Sequence, residues 1–282
     1  MKDSNIAILM ATYNGARYLS EQLDSLLKQT IHEWHLYIHD DGSADNSVSI
    51  VRDYMSQHPD RISLLEYPSQ GGACRNFLSM LKRIEADYYM FCDQDDVWLP
   101  EKIELSMRQM KQTEESRNKG CPVVVHTDLR IVDEQLRETH PSLWRYMAIY
   151  PDFVRTFHDC VISYVTGCAM LINKPARQMA LAINPQKAMM HDSWIVGCCH
   201  AAGGTVVSIA KPTVLYRQHG HNTLGAVAAD RLTLSYRIRN FLDMQKTNWN
   251  IFTMLRSIAP FSYWQFVAAK IRYKKYIKQQ QK

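Results

Sequence analysis

Three carboxylates, Asp93, Asp95 and Asp96, crowd the segment that follows the apolar run Tyr88-Tyr-Met-Phe-Cys92. Left unneutralised they repel one another. Hard oxygen ligands in this number call for Mg²⁺ or Mn²⁺, and Mg²⁺ is usually held by one or two carboxylates plus substrate phosphates. The D-x-D spacing sets Asp93 and Asp95 on the same side of an extended segment. A solvated acidic turn has the same spacing, so the weight of the motif comes from its company: Asp40-Asp-Gly-Ser43 ends a second apolar run and Thr12-Tyr-Asn14 a third. A further carboxylate, Asp192, stands in His191-Asp-Ser-Trp194 at the predicted opening of a helix. The late segment Tyr216-Arg-Gln-His219 supplies a guanidinium and an imidazole.

These residues need elements to bring them together. Ile6 to Met10 reads as a strand, and Tyr18, Leu19, Leu23, Leu26 and Leu27 fall at helical spacing within Ala16 to Gln29. The unit repeats: strand Trp34 to His39 with a helix through Val48, Val51 and Tyr54, then strand Ile62 to Tyr67 with helix Ala73 to Glu85, then strand Tyr88 to Cys92. Strands separated by helices of this length predict βαβ units and a mostly parallel, doubly wound α/β sheet. Ligands bind such sheets in the crevice beyond the carboxyl ends of the strands, which is where the acidic clusters fall. Beyond them the pattern predicts a helix over Pro100 to Thr113, a strand over Val123 to His126, a strand and turn over Ser163 to Asn173, and a strand over Thr205 to Ile209. A Gly/Ala-rich boundary at Leu224 to Ala229 precedes two helices broken near Pro260.

The ordered set Ala11-Thr-Tyr-Asn, Asp40-Asp-Gly-Ser, Gln70-Gly-Gly, Asp93-Gln-Asp-Asp-Val-Trp, Thr166-Gly-Cys, His191-Asp-Ser-Trp and Tyr216-Arg-Gln-His resembles a family 2 glycosyltransferase of the GT-A fold. The motifs span about residues 6 to 222. The D-Q-D-D-V-W form is similar to that of bacterial rhamnosyltransferases and related O-antigen or capsule enzymes. The resemblance implies an inverting, metal-dependent transfer of a sugar, best matched by L-rhamnose from dTDP-rhamnose, to a saccharide or lipid-linked saccharide acceptor in surface polysaccharide synthesis. UDP-hexose and UDP-N-acetylhexosamine donors remain alternatives, because uracil and thymine share the edge that would be read. A non-catalytic nucleotide-sugar-binding partner subunit is the alternative from another class.

By the same resemblance, Thr12, Tyr13 and Asn14 would line the nucleotide pocket and Asp41 would accept the N3–H of the base. Asp93 would face the ribose or sugar, and Asp95 would be the direct metal ligand. Asp192 matches the base that takes the acceptor proton. Where the family often has Glu-Asp, this chain has His191-Asp192: His191 either orients the acceptor and tunes Asp192 or caps a helix. His219, with His221 as rival, would complete the metal site, and Arg217 and Arg75 would pair with phosphate oxygens. Gly71 would let the backbone approach the nucleotide. Trp194 and Trp98 either pack on the apolar face of a sugar or serve the core.

The chain is 46% hydrophobic over 282 residues, ample for a folded core. Its seven cysteines lack C-x-x-C spacing, which indicates neither zinc nor a disulfide framework and favours a reducing, cytoplasmic setting. No apolar run has signal-peptide or membrane-spanning form. The net charge of +5 is uneven: from Arg231 onward eleven Lys/Arg face the single acid Asp243, a net of +10 that leaves residues 1–230 at −5. The expected division is therefore a GT-A domain over 1–222 and a basic, aromatic helical tail over 223–282. That tail suits an anionic membrane surface on the inner face of the cell membrane, with packing on the body as the plainer alternative. The acidic body argues against a nucleic-acid partner.

Overall fold

The structure, a computed structural model, describes residues 5–220 and 241–280. The expected boundary at Leu224 to Ala229, the 222/223 division and His221 lie outside the described residues. Strands β1 (Ile6–Thr12), β2 (Trp34–Asp40), β3 (Ile62–Leu64) and β4 (Tyr88–Cys92) alternate with helices α1 (Leu19–Leu27), α2 (Ser47–Gln57) and α3 (Ala73–Arg83). Then come β5 (Val97–Trp98), α4 (Lys102–Ser116), β6 (Val123–Val132), β7 (Glu138–His140), α5 (Leu143–Met147), β8 (Met170–Asn173), α6 (Lys174–Ala182), α7 (His191–Ala201) and β9 (Thr205–Arg217). The terminal pair is α8 (Phe241–Ile258) and α9 (Tyr263–Gln280).

One sheet runs in the order β3-β2-β1-β4-β8-β6-β9-β5, with β7 on β6. Its first half is parallel, as the βαβ spacing requires. The second half adds short antiparallel pairs: β8 runs antiparallel to β4 and to β6 and β5 antiparallel to β9, while β6 and β9 form a long parallel pair. The sheet is mixed. Strands β6 and β9 also extend well past the predicted ends at His126 and Ile209. Polar positions such as Asp128 and Lys211 break the apolar pattern, and register shifts at Thr127 to Arg130 absorb the irregularity.

Alternation along β1 divides the core. Ala7 and Leu9 face α3, α6 and α7, whereas Ile6, Ile8 and Met10 face α1, α2 and α4. Burial on both sides explains why β1 and β4 read as unbroken apolar runs. Ile251, Leu255, Phe261 and Phe266 of the terminal helices and their turn join the Ala7/Leu9 core, and Arg272 pairs with Asp159 at 2.7 Å. Trp249, Tyr263 and Trp264 remain exposed. Among the described residues no helix is long and apolar enough to cross a membrane.

Candidate active site

Register places the chemistry. Thr12 pairs with Asp40 across β1 and β2, and Met10 with Cys92 across β1 and β4, so the loops after three neighbouring strands leave the sheet at one edge. Thr12 Oγ1 donates to Asp40 Oδ2 (2.9 Å), and Asp40 Oδ1 accepts the N–H groups of Gly42 and Ser43. Gln94 crosses to the neighbouring loop, accepting from Tyr13 N–H (2.9 Å) and donating to Tyr13 C=O (3.0 Å). Between these loops and the start of α7 opens a cavity of about 620 Å³, whose walls include Thr12, Tyr13, Asp41, Asp93, Asp95 and Asp192.

On one side, Asp41 grips the glycine turn. Its Oδ1 accepts from Gln70 N–H (2.5 Å), Gly71 N–H (3.2 Å) and Ser69 Oγ (2.9 Å), and its Oδ2 from Gly72 N–H (2.7 Å). Burial alone would raise its pKa, but these hydrogen bonds to the charged form outweigh it and hold the carboxyl below its ordinary value. Gly71 and Gly72 have φ of 72° and 125°, conformations that favour glycine. Tyr13 presents an exposed ring at the rim.

The acidic loop occupies the floor. Asp93 is pushed up to about 7 by burial and then by the charges of Asp95 and Asp192. Asp96 is fully buried and accepts from Arg217 N–H (3.1 Å), while its Oδ2 has no hydrogen-bond partner; burial first, then the neighbouring aspartates, raises its pKa. Ligand atoms of Asp93, Asp96 and Cys168 lie within 4.8 Å of one another. Behind them sits the buried Lys102, its ammonium 4.5 Å from the Trp98 ring and its pKa lowered to about 8 by burial. Asp95 Oδ2 meets His219 Nε2 at 2.8 Å, so the residue expected to complete the metal site does stand beside the expected ligand.

Across the cavity, Asp192 lies in the first turn of α7. Its Oδ2 accepts Gly167 N–H (3.0 Å) and its Oδ1 accepts Ser193 N–H (2.5 Å) and Ser193 Oγ (3.1 Å). His191 is buried between Phe77 and Phe91, with ring centroids at 4.2 and 4.9 Å, and neither ring nitrogen has a hydrogen-bond partner. Burial lowers its pKa to about 4, against a smaller opposing pull from Asp192, so the ring is neutral near pH 7.

Four expected positions fall elsewhere. Arg217 does not face the phosphate region: it is buried, with Nε on Asp95 C=O (2.8 Å), Nη1 on Glu134 C=O (2.6 Å) and Nη2 on Glu21. It is a strut beneath the acidic loop. Trp194 is fully buried and donates from Nε1 to Ala180 C=O (2.9 Å), which makes it a core residue rather than a sugar platform. Asn14, at φ 48°, ties its loop to Ala44 and Ser43 rather than lining the cavity. Arg75 is exposed beside Gly71 at the start of α3 and is not in the cavity wall. Sequence reasoning missed the roles of Gln94, which joins two loops, and of the Gly167 N–H, which holds Asp192. The Q in D-Q-D-D and the glycine of Thr166-Gly-Cys were the available signals.

A mixed α/β sheet whose carboxyl-end crevice sets an acidic loop opposite a helix-borne carboxylate is the arrangement of a GT-A glycosyltransferase. The sequence model of glycosyl transferase family 2 matches residues 7–178, and the chain belongs to that family. It is similar to the dTDP-rhamnosyl transferase RfbG of Shigella flexneri, 27% identical over 227 residues that cover 77% of this chain and 74% of the relative. Among solved structures it is similar in fold to S. aureus TarS in complex with UDP-GlcNAc (TM-score 0.56, 16% identity, 94% of this chain and 79% of that one). A second is the mannosyltransferase PcManGT of Pyrobaculum calidifontis in complex with GDP-Man and Mn²⁺ (TM-score 0.55, 16% identity, 94% and 73%).

Proposed function

We propose that this chain is an inverting, divalent-metal-dependent transferase that moves L-rhamnose from dTDP-rhamnose to a saccharide acceptor, lipid-linked, in bacterial surface polysaccharide synthesis. The observation that carries the reading is that Asp95 and Asp192 open into one cavity. The similarity to RfbG favours the rhamnosyl donor. On the donor side, the Tyr13 ring stacks on the base, and Asp41 Oδ2, bonded to a single N–H, keeps a lone pair for the N3–H of thymine. Asp93 faces the ribose or sugar.

The donor set fits a hard divalent cation: a carboxylate oxygen on an imidazole nitrogen, flanked by acidic groups whose mutual repulsion a cation relieves. Asp95 and His219 would hold Mg²⁺ or Mn²⁺, which when bound neutralises the charge that grows on the departing diphosphate. Asp192 accepts the proton of the acceptor hydroxyl as its oxygen attacks the anomeric carbon from the face opposite the diphosphate, and the single displacement inverts the configuration. Hydrogen bonds from Gly167 and Ser193 aim the carboxylate, and Oδ2, bonded to a single N–H, keeps a further lone pair for the acceptor hydroxyl. His191 packs beside the acceptor as a neutral ring. The basic tail, with Trp249 and Trp264 exposed, rests on the anionic inner face of the cell membrane.

The UDP-GlcNAc bound by TarS supports keeping UDP-hexose or UDP-N-acetylhexosamine as the second donor reading. A non-catalytic partner module has no use for a carboxylate on the acceptor side. A nucleotide-release screen over dTDP-rhamnose and the common UDP-sugars, each with Mg²⁺ or Mn²⁺ and a saccharide acceptor, tests the proposal. Release from dTDP-rhamnose alone is expected. Release confined to a UDP-sugar replaces the donor, and none above background with any donor rejects the enzyme.

A further inference from the structure

A second cavity, of about 210 Å³, lies between the 160–165 segment, the start of α7 and helix α8. We infer that it is an acceptor subsite for hydrocarbon, holding an apolar group that the acceptor carries beside the hydroxyl being glycosylated. The inference rests on the transferase reading above and gives α8 a part in that site.

Continuity with the base supports it. Segments 163–167 and 189–193 line both cavities, and Met190 forms part of each wall. Ser193, which holds Asp192 through its N–H and hydroxyl, also lines the second cavity, and its Oγ lies 3.3 Å from Ser163 Oγ. Met190, whose unbranched side chain adapts readily, is thus common to both walls, and Ser193 links the base to the second cavity. A group reached past Asp192 belongs to the molecule that Asp192 deprotonates, which is the acceptor and not the nucleotide.

The lining selects the chemistry. Ile162, Val165, Val196, Ile251 and Met254 supply its apolar walls, and among the described residues no charged side chain lines it. Tyr164, its largest polar member, has its hydroxyl engaged with His200 Nε2 at 2.9 Å. The volume exceeds the share of about 30 Å³ that one water takes in the liquid, and the hydroxyls of Ser163, Ser193 and Thr247 are the other polar side-chain groups beside these apolar walls. A hydrocarbon chain therefore meets chiefly apolar side chains there. Thr247 on α8 and Ser163 are the exposed residues of its wall, so the cavity opens beside them and a longer chain continues outward.

The test compares methyl and n-octyl β-D-glucopyranoside, the latter below its micelle concentration, on the full chain with UDP and Mn²⁺, by ligand-observed NMR. The octyl glycoside is expected to bind about tenfold tighter, which requires burial of only about two methylenes. Ile251→Trp, which fills the cavity, and Thr247→Trp, which blocks its mouth, should each reduce that advantage to about threefold or less. Trp264→Ser should leave it intact. If Ile251→Trp does not fold, Thr247→Trp at its exposed position decides. Equal binding of the two glycosides overturns the inference, as does an advantage that survives Thr247→Trp or disappears in Trp264→Ser. UDP binding with Mn²⁺, followed separately by calorimetry, reports on the transferase reading: its absence rejects that reading, while the glycoside comparison still reports on the cavity.

Discussion

Replacing Arg217 by Met separates a strut from a phosphate ligand. The substitution keeps much of the apolar stem but removes donors from the carbonyls of Asp95 and Glu134, at 2.8 and 2.6 Å, and the charge from Glu21 and from above the Tyr18 ring. Each carbonyl left unpaired costs about 1–3 kcal/mol. Glu21 is 54% exposed, so its pair contributes under about 1 kcal/mol after screening. The sum is about 4 kcal/mol, which in a chain of this size corresponds to a melting temperature lower by roughly 10 °C. Differential scanning calorimetry of the metal-free protein reads this directly. Mn²⁺-dependent UDP binding should weaken as well, because the backbone of Asp95 loses its anchor. A variant that melts within about 2 °C of the parent yet loses UDP affinity would show that the guanidinium serves the phosphates and that the strut account is wrong.

Other outcomes follow from the same geometry. A Cβ added at Gly167 lies 2.4 Å from His191 Nε2, and the ring is wedged between Phe77 and Phe91, so Gly167→Ala should cost about 1–3 kcal/mol in urea unfolding and lower kcat by displacing Asp192; an unchanged kcat would contradict the positioning role. The fold favours protonated Asp93, raised from 3.8 to about 7. Its contribution to stability is therefore complete below pH 3.8 and is lost as pH rises through about 7. Mn²⁺ should accordingly raise the melting temperature more above pH 7 than near pH 5, and an increment independent of pH counts against a cation at this loop. For the tail, removing residues after 229 would strip Ile251, Leu255 and Phe266 from the core, so surface substitutions are the cleaner probe. Trp249→Ser with Trp264→Ser should abolish flotation with anionic liposomes, and undiminished flotation would place the contact elsewhere.

The first half of the fold was legible because its signals are local. Apolar runs closed by acidic turns, with helical spacing between them, specify β1 to β4, and their parallel order brings three loops to one edge. The second half was not, because β6 and β9 continue through polar positions whose burial depends on partners eighty residues away, such as Thr127 on Thr213 at 2.7 Å. Residue type misled at Arg217, since a guanidinium after the last strand is chemically suited to phosphate, and only the course of the chain turns it under Asp95. Trp194 was in principle readable: two positions along a helix rotate a side chain by about 200°, so a cavity-facing Asp192 directs Trp194 to the opposite side. The grip of Asp41 on the glycine turn joins residues some thirty apart, and neither segment announces the other.

The central claim is that Asp192 takes the acceptor proton in a cavity it shares with the metal-binding Asp95. Transfer by Asp192→Asn tests it most directly, with donor and Mn²⁺ binding measured on the same preparation. Binding should be kept while kcat falls by about 10²- to 10⁴-fold, the usual contribution of a positioned base. Undiminished transfer by that variant would contradict the account.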